Sequence, residues 1–170
     1  SYKHKGFGLS GREAAKAREN ASLISTAAQY DVPVAKLIAR LPISTNVYVW
    51  GRRHASLSDV DAAADYFLTS NAMQQRMAEL LRRWDLGLAD VDIKREKVKL
   101  DDGKEQSFAI AYGIHADGAQ RQELAIFQES SGTQRAFVLL HWLLPVLDAG
   151  GLAVIDEMEA DLHPHMLAEV

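Results

Sequence analysis

The sequence of 170 residues contains no cysteine and only four prolines. It also has no apolar run of about 18 residues, the length that a membrane-spanning helix requires. Without cysteine, disulfide frameworks and zinc–thiolate sites are excluded, and the composition fits a reducing compartment. We therefore expect a cytoplasmic protein that does not enter the membrane. The hydrophobic content of 48% is enough for one domain of this length to bury a core.

Charge is distributed unevenly along the chain, although the net charge is only −4. Residues 1–57 carry 9 Lys and Arg against 3 Asp and Glu, whereas residues 58–170 carry 10 against 20. A basic front segment is typical of a surface that faces nucleic acid or an acidic partner. A solvated helix face explains the same bias, so both interpretations stay open.

Hydrophobic periodicity divides the chain into three parts. Residues 1–86 are predicted to be helical, with one helix from Ser10 or Gly11 towards Asp31 and a second helical region from Ser56. Residues 87–128 alternate between apolar and polar positions around two Asp-Gly turns, which predicts an antiparallel meander. Residues 129–170 predict a helix from Ser131, a buried strand LAVI and a last helix after Met158.

Two acidic residues, Asp156 and Glu157, follow the apolar strand in GGLAVIDEMEAD. Nucleotide hydrolases place Mg²⁺ and water beside a γ-phosphate with carboxylates in this position. Asp156 would then hold the hydrated metal, and Glu157 would orient and deprotonate the attacking water. Acidic residues that merely favour the start of a helix produce the same pattern.

The stretch Ser130-Ser131-Gly132-Thr133-Gln134 stands directly before the long apolar helix. Small hydroxyl residues and glycine occur where the free N–H groups of a helix face an anion, and equally in an ordinary helix cap. The order of this stretch, the helix, a Gly-Gly turn and the acidic strand resembles the signature motif and Walker B strand of ABC-type ATPases. Ser130 and Gly132 match the serine and second glycine of the family's Leu-Ser-Gly-Gly-Gln.

Three positions depart from that signature: Glu129 replaces the leucine, Ser131 the first glycine and Thr133 the glutamine. Asp161 falls where the family has its D-loop aspartate. Together with ENASLIS and DEMEADLHP, these motifs most resemble the AAA-labelled ABC ATPases of bacterial defence and abortive-infection operons. Those proteins are relatives of the SMC and overcoming-lysogenization-defect ATPases.

The resemblance implies a P-loop NTPase-like α/β fold that uses ATP and Mg²⁺. It also implies a head-to-tail dimer or higher oligomer, in which Ser130, Ser131 and Gly132 contact the γ-phosphate held by the partner subunit. Asp161 would couple the two subunits across that interface. A defence ATPase of this kind would sense a phage trigger protein and control a nuclease or toxin effector.

The P-loop sequence G-x-x-x-x-G-K-[ST] does not occur in the 170 residues. The family's switch histidine would follow Val170. We therefore expect the C-terminal portion of an ATPase domain, truncated at both ends and inactive alone. Two alternatives stay open: an ATP-gated scaffold with little turnover, and a DNA-binding module that uses the basic residues of 1–57. Arg18-Glu19-Asn20 resembles a family stretch to which we assign no role.

Overall fold

The structure is a computed structural model that describes residues 7–18, 20–48, 51–52, 55–84, 86–99, 103, 105–117 and 120–158. It is an α/β fold of helices and small sheets, which confirms the expected fold class. Its helices are Gly11–Ala14 (α1), Leu23–Gln29 (α2), Pro33–Arg40 (α3), Leu57–Leu68 (α4), Asn71–Arg83 (α5) and Ser131–Asp148 (α6). Its strands are Ile43–Thr45 (β1), Val47–Tyr48 (β2), Gly51–Arg52 (β3), Asp90–Lys99 (β4), Glu105–Asp117 (β5), Gln120–Ala125 (β6) and Leu152–Val154 (β7).

The helical front segment contains more breaks than the periodicity predicts. The single helix expected from Ser10 or Gly11 towards Asp31 is wrong, because α1 ends at Ala14 and α2 begins at Leu23. Ser22 adopts an extended conformation before α2, and its side chain accepts a hydrogen bond from the Ser25 amide at 3.0 Å. A capping serine thus starts a new helix where apolar spacing alone suggests continuity.

The main core lies where α4, α5 and α6 pack against the antiparallel sheet. Aromatic contact joins two of the helices, with the Phe67 and Phe137 rings 5.5 Å apart. The largest side chains that are fully buried include Phe67, Phe137, Met77, Leu81, Ile126, Leu139 and Leu140. Among the described residues, no helix is long and apolar enough to cross a membrane.

Strands β4, β5 and β6 form the antiparallel sheet that the alternating pattern predicts. Polar contacts link all three strands on one face: Lys94 Nζ lies 2.6 Å from Glu123, and Tyr112 donates a hydrogen bond of 2.7 Å to Glu96. That hydrogen bond raises the pKa of the Tyr112 phenol above its usual value. The Glu123 carboxylate likewise raises the pKa of Lys94.

The strand LAVI pairs in parallel with β1, and Ile43 lies opposite Leu152. The two strands approach so closely that a side chain at Gly151 would overlap the Pro42 carbonyl. The expectation that this strand is buried is wrong, since Leu152 and Val154 are 50% and 48% exposed. Among the described residues, the core covers only the face that carries Ala153 and Ile155.

Candidate functional site

The N-terminus of α6 is an ordered serine cap. Ser130 Oγ accepts a hydrogen bond from the Thr133 amide at 3.2 Å and lies 2.9 Å from the Thr133 hydroxyl. Helix geometry leaves the amides of Ser131 and Gly132 without intrahelical acceptors. Both residues are exposed, so these two N–H groups and the positive end of the helix dipole face outward.

Gly132 has no structural reason to be glycine among the residues that the structure describes. Its φ is not positive, and a Cβ there would find only Ser130 Oγ, at an ordinary contact distance of 3.7 Å. A glycine inside a helix destabilises it by about 1 kcal/mol relative to alanine. The position therefore accepts a local cost and leaves open space above the N-terminus of α6.

The positions that depart from the ABC signature have structural contacts of their own. Thr133 is 3% exposed and uses its hydroxyl on Ser130, so it does not face the open end of the helix. Gln134 turns back and donates hydrogen bonds to the carbonyls of Phe127 and Glu129, at 3.1 and 2.8 Å. These contacts hold the segment that leads into the cap.

Asp156 stands at the carboxyl end of the parallel pair β1–β7. Asn46 follows β1 and is fully buried. Its side-chain amide bonds to both the backbone carbonyl and the backbone N–H of Asp156. Asn46 Nδ2 donates to the Asp156 carbonyl at 3.0 Å, and Asn46 Oδ1 accepts from the Asp156 amide at 2.8 Å. The backbone is fixed while the Asp156 carboxylate stays exposed. In α/β folds, ligands bind at this edge of a parallel sheet.

Glu157 follows in a backbone conformation that L-residues rarely adopt, with φ at 50°. Such left-handed residues cost about 1–2 kcal/mol unless they are glycine, and they concentrate at functional sites. Glu157 lies in the turn that follows β7 and is exposed. Asp161, the expected cross-interface residue, lies outside the described residues.

The structure does not bring the signature stretch and the acidic pair together within one chain. Helix α6 has 18 residues, and at 1.5 Å per residue it is roughly 27 Å long. The segment from Leu152 to Asp156 returns from its far end, and at about 3.3 Å per residue it covers roughly half of that length. Along the helix axis this leaves Ser130 and Asp156 roughly 14 Å apart, so we expect them not to contact the same phosphate from one subunit.

Metal binding would depend on Asp156 with help from other ligands. The described residues contain no group of three or more His, Asp or Glu side chains that could hold an ion. Mg²⁺ does not need such a group, because it keeps several waters and binds through one or two carboxylates together with substrate phosphates. The single exposed carboxylate of Asp156 fits that mode.

Sequence reasoning missed two residues that support these candidate sites. The sequence predicts no role for Asn46, although an asparagine directly after a short strand is a weak signal of a side chain that bonds to a neighbouring backbone. It predicts no role for His115 in β5 either, and the His115 Nε2 lies 2.6 Å from Glu129 Oε1. Asn46 is distant in sequence from Asp156, and His115 from Glu129, so no local sequence pattern indicates either contact.

The α/β fold is consistent with a P-loop NTPase-like domain, and comparison with known families identifies the class. A family model described as "AAA domain, putative AbiEii toxin, Type IV TA system" matches residues 9–170. The chain belongs to this AAA domain family. No curated protein and no solved structure matched the sequence.

The clamp on Asp156 leads to a prediction about Asn46→Asp. The aspartate has the same shape and can still accept from the Asp156 amide, but it replaces the N–H donor with an oxygen that faces the Asp156 carbonyl. We expect unfolding by urea to show a loss of about 1–3 kcal/mol, the cost of an unsatisfied buried polar group.

Thr45→Ser is the matched control for Asn46→Asp, because it keeps the hydroxyl that accepts from the Val47 amide at 3.0 Å. We expect it to change the free energy of unfolding by less than about 0.5 kcal/mol. An unfolding curve for Asn46→Asp that coincides with the parent curve would contradict the clamp.

Proposed function

We propose that this domain binds and hydrolyses ATP with Mg²⁺ in a head-to-tail dimer or higher oligomer, in the cytoplasm. The observation that carries the proposal is Gly132, which is exposed and, in the described part of the chain, has open space around it and no neighbour that requires glycine. A γ-phosphate held by a partner subunit would occupy that space and meet the outward N–H groups of Ser131 and Gly132.

The distance between the two candidate sites supports action between subunits. Because Ser130 and Asp156 lie far apart in one chain, each phosphate would be contacted by the signature of one subunit and the acids of the other. Asp156 would bind Mg²⁺, and Glu157 would act as the general base. The strained backbone of Glu157 supports a role for its side chain. Asp161 would couple the subunits.

Binding of the ATP phosphates in this proposal requires a phosphate-cradling loop, and the P-loop sequence does not occur in these 170 residues. The family description, which mentions an abortive-infection toxin, supports a role in antiviral defence. In that role the protein would sense a phage trigger protein and control a nuclease or toxin effector.

The departures from the ABC signature favour a second candidate function, in which the domain is an ATP-gated scaffold that binds ATP at the same site with little turnover. The steady-state ATPase rate of the full-length protein decides between them.

A groove between α2 and the segment that connects α1 to α2 carries two cationic side chains and favours nucleic acid as a further partner. It is lined by cationic, amide and aromatic groups that suit a phosphate backbone and its bases, with no acidic residue among its described lining: Lys16, Arg18, Asn20, Thr26, Gln29 and Tyr30. Arg18 and Asn20, to which the sequence assigns no role, are therefore candidates for contacting nucleic acid.

The nucleic-acid candidate predicts salt-dependent binding of DNA that requires this groove. Lys16→Ala with Arg18→Ala should reduce the slope of log affinity against log salt by about 2, one for each phosphate contact removed. Lys36→Ala is the control, because Lys36 already pairs with Asp31 in the turn between α2 and α3. An unchanged slope in the double variant would remove the groove from this role.

For the acidic pair, Glu157→Gln should lower ATP hydrolysis by about 10²–10⁴-fold, the range for loss of a general base. ATP binding should persist, and the ATP-bound closed assembly should accumulate because hydrolysis no longer releases it. Turnover and size-exclusion chromatography with ATP measure the two effects. Near-normal turnover would exclude Glu157 as the base.

For the signature, Gly132→Asp should abolish ATP-driven closure and hydrolysis while the subunit's own P-loop still binds ATP. At ~4 Å the carboxylate would repel each phosphate charge by about 4 kcal/mol at an effective dielectric near 20. A plain helix cap predicts instead normal turnover and little change in stability, because Ser130 is retained and an acidic side chain is favourable in the first turn of a helix.

Mixing Gly132→Asp with an inactive P-loop lysine variant tests whether the site forms between subunits. One mixed arrangement pairs an intact P-loop with an intact signature, so partial ATPase activity should return. Gly132→Ala is the matched control, since it adds bulk without charge. Full hydrolysis by soluble Gly132→Asp would refute the signature assignment.

A further inference from the structure

A histidine on the antiparallel sheet contacts the residue that directly precedes the α6 cap. His115 Nε2 lies 2.6 Å from Glu129 Oε1, and His115 Nδ1 lies 3.0 Å from the Gly87 carbonyl oxygen. The Glu129 side chain is 8% exposed, although a carboxylate ordinarily stays in water. The contact therefore ties the start of α6 to β5 and to the segment before β4.

The partners of the imidazole determine how many protons the pair holds. A carbonyl can only accept, so His115 Nδ1 must carry a proton and donate it to Gly87. A second proton must then lie between Nε2 and Glu129, whichever atom holds it. Both arrangements leave the pair with no net charge. His115 thus neutralises a buried carboxylate that would otherwise be costly.

Gly113 provides the space that the Glu129 carboxylate occupies. A Cβ on Gly113 would lie 2.8 Å from Glu129 Oε1 and 2.7 Å from Leu88 Cδ2. The φ of Gly113 is not positive, so the glycine is required for space and not for its backbone conformation. The sheet is therefore shaped to receive Glu129.

The position of Glu129 makes its neutralisation relevant to the proposed anion site. Glu129 immediately precedes Ser130, and the positive end of α6 attracts any nearby anion, including this carboxylate. A charged Glu129 that moved to the helix end would repel the γ-phosphate and compete for its N–H donors. The contact with His115 keeps that carboxylate in the sheet.

We infer that His115 and Glu129 are positioning residues for the signature, which hold the Ser130 cap and keep the α6 N-terminus open for a phosphate. This inference rests on the proposed function. Gly113 belongs to the same arrangement, because it makes room for the carboxylate.

The test is a double-mutant cycle in the full-length protein with His115→Leu, Glu129→Leu and the double variant. His115→Leu should lower kcat by about 10²-fold, the effect of a small misplacement at a reacting centre, while ATP affinity stays unchanged. The double variant removes the buried carboxylate together with its partner, so most of the lost kcat should return. That recovery is a coupling between the residues, which a cycle measures directly.

Gly113→Ala is a second variant that disturbs the contact between His115 and Glu129. It keeps the inference testable if His115→Leu misfolds. Its methyl group would overlap both the flexible end of Glu129 and the Leu88 side chain, so the Glu129–His115 contact should be displaced and kcat should fall in the soluble, folded protein. Glu123→Leu is the matched control, because it removes a contact of the same 2.6 Å length at an exposed site on β6. It should leave kcat unchanged.

The outcomes separate this inference from the proposed function. If Gly132→Asp abolishes hydrolysis but soluble His115→Leu and Gly113→Ala retain the parent kcat, the positioning role is overturned and the signature stands. Independent effects of His115→Leu and Glu129→Leu on kcat, with no recovery in the double variant, would also overturn it. If Gly132→Asp hydrolyses ATP normally, the signature and the inference fall together.

Discussion

The pairing of β1 with β7 is the constraint on which the acidic site depends. It joins Thr45 to Val154, segments separated by more than a hundred residues, and the buried Asn46 closes the pair with two hydrogen bonds to the Asp156 backbone. A rigid backbone with a free carboxylate is what metal and phosphate chemistry requires, since the ligand must meet a preorganised group. The close approach at Gly151 allows the strand to reach this position directly from α6.

The other end of α6 is supported by different elements. There the helix begins against the antiparallel sheet, through the Glu129–His115 contact and the Gln134 side chain that returns to the preceding carbonyls. One helix therefore connects two separately supported sites, one before its N-terminus and one beyond its C-terminus.

Local patterns predicted those elements whose formation depends on neighbouring residues. The alternation in β4 and β5, the apolar helix after Ser130 and the strand before Asp156 all follow from periodicity and composition. The break before α2 was missed because Ser22 caps a helix inside an otherwise continuous apolar pattern. The exposure of Leu152 and Val154 was missed because burial depends on what covers a strand, which its own residues do not encode.

The sequence by itself was enough to identify three features. They are the small residues at the start of α6, the paired acids after an apolar strand, and the absence of a P-loop motif from the 170 residues. It determined these because they are properties of contiguous residues, each with a local chemical meaning. Only the tertiary structure decided that Asn46 clamps Asp156, that His115 neutralises Glu129 and that Gly113 makes room for it. Each of those contacts joins residues from separate elements, and side-chain hydrogen bonds over such distances leave no periodicity in the chain.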